Sequence, residues 1–456
     1  LLLRAFVGLL AFAVFPFSAA HAGAKKPATG AIDITKLHQE IAGFGASEAY
    51  YQGWLARNPH SDEIYDALFG PVNGLHTDFL RLQNRFRYVP DANFDKDAVD
   101  IVKHANALRG SPLTIVMSSW SPPASLKSNH DEKNGGTLAL KNGHYDYAGF
   151  AQYWRDSVVV YRALGVDPTY VSIQNEPDEK TDYESCRFNP SEAPWNGESN
   201  AGYAQALDAV YRKFQELPSP PHLLGPETIG IGYGNEQAFE KAMNLQQVYA
   251  VTHHDYTGGD KAKPETYVPA MQAIKDENPG RLLFQTEYYT EGGFETAEMI
   301  HFSLAAEEAN LYFYWPYAWP STASTMLTVE DPAQPEKWKT PHGWGYTDGY
   351  FAMKQYSYFI HAGYHRVEAK SSDDEILLSA YLSGKGDKLV VVAINTSASA
   401  ESSIKLKLGG FAQGRSRVVR TSFPNKPERF AEAGPLGADG LLTLPAHSVA
   451  TVEIVR

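Results

Sequence analysis

Cysteine is almost absent from this chain: Cys186 is the only one in 456 residues. No internal disulfide can form, so core packing must hold the fold together, and a catalytic thiol would have to rest on that single side chain. Positive charge is also in deficit. Forty Lys and Arg stand against 53 Asp and Glu, a formal charge of −13, which argues against nucleic acid or an anionic lipid surface as partner. Long apolar runs are confined to the N-terminus, where Arg4 precedes an apolar stretch over 5–19, followed by Ala20-His21-Ala22 and a polar Gly-Ala-Lys-Lys. That is the pattern of a secretory signal peptide spanning 1–22, so the mature chain is expected to be secreted or periplasmic, with no membrane partner. No later run approaches the ~20 apolar residues of a membrane span.

What the chain has in quantity is aromatic residues, 27 Tyr and 8 Trp, many in segments that also carry Asn, Gln and Glu. Rings beside polar groups suit a neutral, flat ligand such as a sugar face, although packing accounts for most of them. From 43 to 364 short apolar runs alternate with longer amphipathic ones. The expected strands are Ile41–Ala46, Asp78–Phe86, Leu113–Trp120, Tyr170–Glu176, Leu223–Glu227, Val248–Tyr256, Leu282–Tyr288 and Leu311–Tyr317. The clearest helix runs from Tyr147 to Leu164, where Phe150, Tyr153, Trp154, Val158, Tyr161 and Leu164 recur at three- and four-residue spacing. Eight strands alternating with helices predict an α/β fold, a (β/α)8 TIM barrel. After His365 the pattern becomes short alternating strands with Gly, Ser and Asp turns, Leu377–Leu382, Leu389–Asn395, Ser403–Leu408, Arg417–Ser422 and Val449–Val455, which predicts an attached antiparallel β-sandwich side domain. The extended segment over 31–42 can cross over to that sheet, so the side domain is expected to comprise 31–42 plus 365–456. No flexible linker separates it from the barrel.

Two glutamates end apolar, β-rich runs: Glu176 in Tyr-Val-Ser-Ile-Gln-Asn-Glu-Pro and Glu287 in Leu-Leu-Phe-Gln-Thr-Glu-Tyr-Tyr. In a barrel of this type the chemistry sits at the C-terminal ends of the strands. Strands four and seven would bring both acids to the barrel mouth. Two carboxyls in unlike environments, one protonated and one ionised, can cut a glycosidic bond.

Gly43-Phe44-Gly45-Ala46-Ser47, Trp120-Ser121-Pro122-Pro123-Ala124-Ser125-Leu126-Lys127, Gln174-Asn175-Glu176-Pro177 and Thr286-Glu287-Tyr288 together resemble glycoside hydrolase family 30 in order and spacing. Tyr356-Ser357-Tyr358-Phe359-Ile360 with Gly363, Tyr364 and Arg366 resembles the family's exit from the barrel, and Leu444-Pro445-Ala446-His447-Ser448-Val449 the end of its side domain. The resemblance implies a retaining hydrolase with Glu176 as acid/base and Glu287 as nucleophile, needing no cofactor and no metal. Arg81, a cation inside an apolar strand, matches the family's prop for the nucleophile. Asn175 matches the residue that holds the sugar 2-hydroxyl.

Trp120, Trp315 and Tyr256 fall at strand ends where a ring can floor a sugar subsite; Tyr288 follows the nucleophile, and His254 can reach substrate or nucleophile. His253-His254-Asp255 is a poor metal motif as a run, because adjacent strand residues point to opposite faces. Asn395-Thr396-Ser397 matches a glycosylation sequon, a short pattern that arises by chance.

The look is closest to the xylanase branch, hence xylan, a neutral polysaccharide, is the expected substrate of a monomeric enzyme. Glucuronoxylan-specific members grip the acidic branch with an arginine after strand eight. No arginine occurs between Arg281 and Arg366, and the stretch Tyr314–Pro320 is aromatic and uncharged, so dependence on glucuronate is not expected. A β-glucosidase, a glucosylceramidase-like enzyme or a β-1,6-glucanase on the same scaffold is the alternative, and a non-catalytic polysaccharide-binding protein a third. The insertion from Asp182 to Asn200, with Cys186 and Trp195, is placed to shape one end of a cleft.

Overall fold

The computed structural model describes residues 26–88, 94–232, 234–290, 292–320, 324–423 and 428–456. The segment over 1–22, expected from the sequence to be a signal peptide, lies outside these residues. Among the described residues no helix is long and apolar enough to cross a membrane.

Eight parallel strands close into a barrel: Gly43–Ser47, Phe79–Gln83, Thr114–Ser118, Pro168–Ser172, His222–Thr228, Val248–His254, Leu283–Glu287 and Leu311–Pro316, each paired with the next and the last with the first. These are the eight segments expected from the sequence, most of them trimmed at the C-terminal end. The helix Tyr147–Ala163 forms as the spacing predicts; it buries Phe150, Tyr153, Trp154, Val158 and Tyr161, and the Asp146 carboxylate caps it by accepting from the Gly149 N–H at 2.9 Å.

The barrel interior is layered by the two-residue period of the strands. Phe79, Val116, Leu224, Phe284 and Phe313 fill its lower part with a buried apolar plug. Two residues further along their strands, Arg81 stands above Phe79, Ser118 above Val116 and Trp315 above Phe313. The switch from apolar to polar at a fixed height thus follows from the alternation, and it sets a polar floor on a rigid apolar base.

The second unit is built on one continuous nine-stranded sheet. Its longest strand, Ala28–Ile41, pairs antiparallel with Tyr364–Ser371 and parallel with Ser402–Gly409. The sheet curls so that Val418, Val452 and Val391 from one half share a core with Ile32, Leu406 and Leu442 from the other, the packing of a sandwich. Strands Ile376–Leu382, Lys388–Asn395, Ser402–Gly409, Arg415–Ser422 and Ser448–Val455 coincide with sequence expectations, whereas Tyr364–Ser371, Ala431–Gly434 and Leu441–Leu444 are additional. The two units are locked together by polar contacts: Arg366 donates to Glu308 at 2.7 Å, Asn310 to the Glu40 carbonyl at 2.8 Å, and Thr451 to the Gln355 carbonyl at 2.7 Å. Asn395, the sequon asparagine, is fully buried and donates to the carbonyls of Ala400, Leu444 and Pro445, so its amide is unavailable to a sugar.

Candidate active site

Glu176 and Glu287 meet at the C-terminal mouth of the barrel, although neither arrives there by simple alternation. The fourth strand ends at Ser172, and Glu176 lies four residues beyond it with φ +45°, its N–H bonded to the Glu227 carbonyl at 3.0 Å. A left-handed glutamate is strained, and such strain persists only where the surroundings fix it. Glu287 is the last residue of the seventh strand. A register shift between Gln285 and Glu287 against the sixth strand turns its side chain into the lumen, where strict alternation would have sent it outward. A carboxylate oxygen of each glutamate, together with a ring nitrogen of His254, lies within 4.8 Å of the other two.

Arg81 organises this floor. Its guanidinium, fully buried, donates to Glu287 Oε2 at 2.6 Å, Asn175 Oδ1 at 2.6 Å, Ser118 Oγ at 3.0 Å and Ser47 Oγ at 3.3 Å, and it lies 3.2 Å from Glu227 Oε1. The Trp120 ring stacks over it, 4.6 Å from centroid to Cζ. Tyr256 donates its hydroxyl to the other Glu287 oxygen at 2.9 Å. Both oxygens of Glu287 are therefore held, and the carboxylate plane is fixed.

Three carboxyls and two cations share this buried space. Burial alone would lower the His254 imidazolium; the charge of Glu287, hydrogen bonds to Glu176 and Glu227 and the charge of Glu176 outweigh it and bring His254 up to about 10. Burial would raise Glu227, but Arg81 and His254 hold it down at about 2. Burial also pushes Glu287 up, against the pull of His254 and Arg81, and the neighbouring Glu176 charge adds to the rise. With Arg81 and His254 both positive, the cluster is neutral when one of the three carboxyls keeps its proton. The Arg81 contacts fall on Glu287 and Glu227, whereas Glu176 meets the His254 cation, whose Nδ1 lies 3.0 Å from Glu176 Oε1.

The ionised state of His254 has a measurable consequence. Its folded value lies above the ordinary ~6.5 of an exposed imidazole, so it contributes stability that is fully present below that pH and lost as pH rises towards 10. The unfolding free-energy gap between wild type and His254→Gln, read by urea titration, is expected to be largest near pH 6 and to shrink by at most about 1.4 kcal/mol per pH unit up to pH 10. A gap independent of pH would show that the imidazole is buried neutral.

Above the glutamates lies an open cleft of about 470 Å³, lined by Tyr50, Trp120, Tyr183, Ile229, Tyr256, Tyr289, Trp315 and Trp319 as well as the two acids. Tyr50 meets Trp120, Trp315 and Trp319 edge-on at 6.2, 6.3 and 5.8 Å, which makes a continuous aromatic wall. Tyr183, from the Asp182–Asn200 insertion, is 43% exposed at the rim, while Cys186 in the same insertion is buried, its thiol pushed up by burial to about 12 and so inert. Tyr288 does not line the cleft: it is fully buried, bonded to the Tyr267 hydroxyl at 3.2 Å, and it backs Tyr256 with ring centroids 5.7 Å apart.

Trp319 belongs to the aromatic stretch Tyr314–Pro320 expected after strand eight, whereas Glu227, Tyr50, Tyr183 and Tyr289 are not singled out by the sequence. Glu227 carried the same signal as the other two acids, a glutamate ending an apolar run, but had no flanking motif. The Lys261 ammonium, 4.3 Å above the Tyr289 ring and 4.8 Å above that of Tyr256, also escaped notice.

Known proteins resemble this chain in sequence and fold. Glucuronoxylanase XynC of Bacillus subtilis is 26% identical over 439 residues, covering 93% of this chain and 91% of the relative. The chain resembles glycoside hydrolase family 30 over nearly its whole length. The catalytic domain of the family 30 xylanase C from Talaromyces cellulolyticus superposes with a TM-score of 0.74 at 19% identity, covering 94% of this chain and all of the other. Xyn30A of Clostridium acetobutylicum, a family 30 subfamily 8 xylanase, gives 0.69 at 24% identity with the same coverage. No family model matches the chain. The barrel with its attached sheet is the fold of those family 30 structures.

Proposed function

We propose that this chain is a retaining glycoside hydrolase that cleaves the β-linked backbone of xylan, with Glu176 as acid/base and Glu287 as nucleophile. The observation that carries the reading is the spacing of the two carboxyls, within 4.8 Å. Retaining enzymes keep their carboxyls about 5–5.5 Å apart, and inverting enzymes need several ångströms more to admit a water. In the first step Glu176 gives its proton to the glycosidic oxygen as that bond breaks, and Glu287 bonds to the anomeric carbon. The negative charge of Glu287 is consumed in the ester, so Glu176, now ionised, can deprotonate a water that attacks the same carbon, releases Glu287 and restores the original configuration. Because the Asn175 carbonyl is occupied by Arg81, its amide Nδ2 is free to donate to the sugar 2-hydroxyl.

The aromatic wall of Trp120, Trp315, Trp319 and Tyr50 supports a neutral polymer stacked along the cleft. With no arginine between Arg281 and Arg366, cleavage is expected without a glucuronate branch, and the apolar stretch over 5–19 supports export. The test is a substrate panel of linear xylan, glucuronoxylan, β-1,6-glucan and an aryl glucoside, with products resolved by chromatography and the first-formed anomer read by NMR. Release of β-configured xylo-oligosaccharides from linear xylan and glucuronoxylan alike is expected. Activity on glucuronoxylan alone would overturn the substrate reading, an α-anomer the retaining mechanism, and no release from any of them the enzyme itself.

A further inference from the structure

On the far side of the sixth strand from His254, between the barrel wall and the helix layer, lies a second buried cluster that the proposed reaction does not use. His253 and Asp255 are two residues apart and so share the outward face, whereas His254 between them faces the lumen. They meet Glu307, at the end of the π-helical segment Ser303–Glu307 that closes the helix after strand seven. All three side chains are fully buried. His253 Nε2 lies 3.0 Å from Glu307 Oε1 and 3.8 Å from Asp255 Oδ1, and one donor atom from each falls within 4.8 Å of the others.

We propose that His253, Asp255 and Glu307 bind one divalent transition ion, zinc being the best match, which ties the sixth strand to the helix after the seventh. Three observations carry this. First, the polar atoms are unsatisfied: neither oxygen of Asp255, neither ring nitrogen of His253 nor Oε1 of Glu307 has a hydrogen-bond partner among the described residues, although buried polar atoms are nearly always paired. Second, the 3.0 Å approach of His253 to Glu307 lacks the alignment of a hydrogen bond. Two donor atoms close together but off each other's axis are placed like co-ligands. Tetrahedral zinc with bonds of ~2.1 Å sets its donors about 3.4 Å apart, between the two separations seen. Third, charge: two buried carboxylates and a neutral imidazole balance a divalent cation.

One imidazole and two carboxylates suit zinc better than calcium, which prefers an all-oxygen shell. The run His253-His254-Asp255 cannot share an ion as neighbours, but its first and third members with Glu307 can. The ion would hold rigid the strand end that presents His254 and Tyr256 to the glutamates.

The experiment is metal analysis by inductively coupled plasma mass spectrometry, on full-length protein produced with zinc in the medium and dialysed against EDTA. An exposed trio, His60, Glu63 and His342, could also retain zinc, so His342→Ala is the reference. About one zinc per chain is expected in wild type and in His342→Ala, falling below about a tenth in Asp255→Asn and Glu307→Gln. Circular dichroism establishes that these variants are folded. If they are not, a zinc-edge anomalous peak between His253 and Glu307 in wild-type crystals serves the same purpose. Folded wild type with no divalent ion, or zinc undiminished in folded Asp255→Asn, would overturn the proposal.

Discussion

Glu287→Ala is expected to lose turnover on xylan or an activated aryl glycoside by on the order of 10⁵-fold, about 7 kcal/mol of barrier, and to recover part of it in azide. The loss is large because the side chain supplies the bond to the anomeric carbon, and nothing else in the cleft can: Tyr256 is kept protonated by burial and by the adjacent Glu287 charge, and Glu227 is locked against Arg81 below the floor. Truncation to alanine leaves room for a small anion on the same trajectory. With azide as the attacking group a single displacement occurs, so the product is a glycosyl azide of inverted configuration. Glu176→Ala should behave differently, losing most activity on poor leaving groups but much less on a dinitrophenyl glycoside, whose departure needs no proton. Measuring both variants on both leaving-group classes separates nucleophile from acid. If Glu287→Ala retained wild-type turnover, or if azide rescued Glu287→Ala to the retained anomer, the assignment of roles would fall.

How far this site could be read from sequence depended on where the backbone obeys its own periodicity. The eight strands follow from apolar runs of the right length, and Arg81 follows from a charge in the middle of one. Where the chain leaves the ladder the period stops carrying information. Glu176 reads as a strand end, yet the ladder finishes at Ser172 and a left-handed residue aims the side chain. Glu227 sits beside a register shift between Pro226 and Thr228, so alternation alone would turn it away from Arg81. The aromatic wall is harder still. Tyr50, Tyr183 and Trp319 come from loops after strands one, four and eight, and only closure of the barrel brings them together. The single nine-stranded order of the side unit was likewise not visible, because Tyr364–Ser371 overlaps the segment that reads as the barrel exit.

Arg81 is the residue whose removal should reach furthest. Taking the guanidinium away strands Glu227 and Glu287 as buried, uncompensated carboxylates, and breaking a buried pair by deleting one partner costs about 3–5 kcal/mol. Part of that cost is relieved if the carboxyls take up protons, which is where stability and catalysis meet. With its nearest cation gone, Glu287 titrates higher, so the acid limb of the kcat/KM profile should move towards neutral pH, and turnover at pH 6 should fall more steeply than at pH 8. Arg81→Lys keeps the charge but presents a single ammonium in place of a planar fork that reaches Glu287, Asn175 and Ser118 at once. It should therefore restore much of the stability while leaving Asn175 and Glu287 loosely placed. Urea unfolding and pH–rate profiles on Arg81→Ala and Arg81→Lys distinguish these effects. A loss under about 1 kcal/mol in Arg81→Ala with an unmoved acid limb would mean that His254 alone balances the three carboxyls. The two cations would then be redundant, and Arg81 would serve to place Glu287 and Asn175 rather than to hold the charge of the cluster.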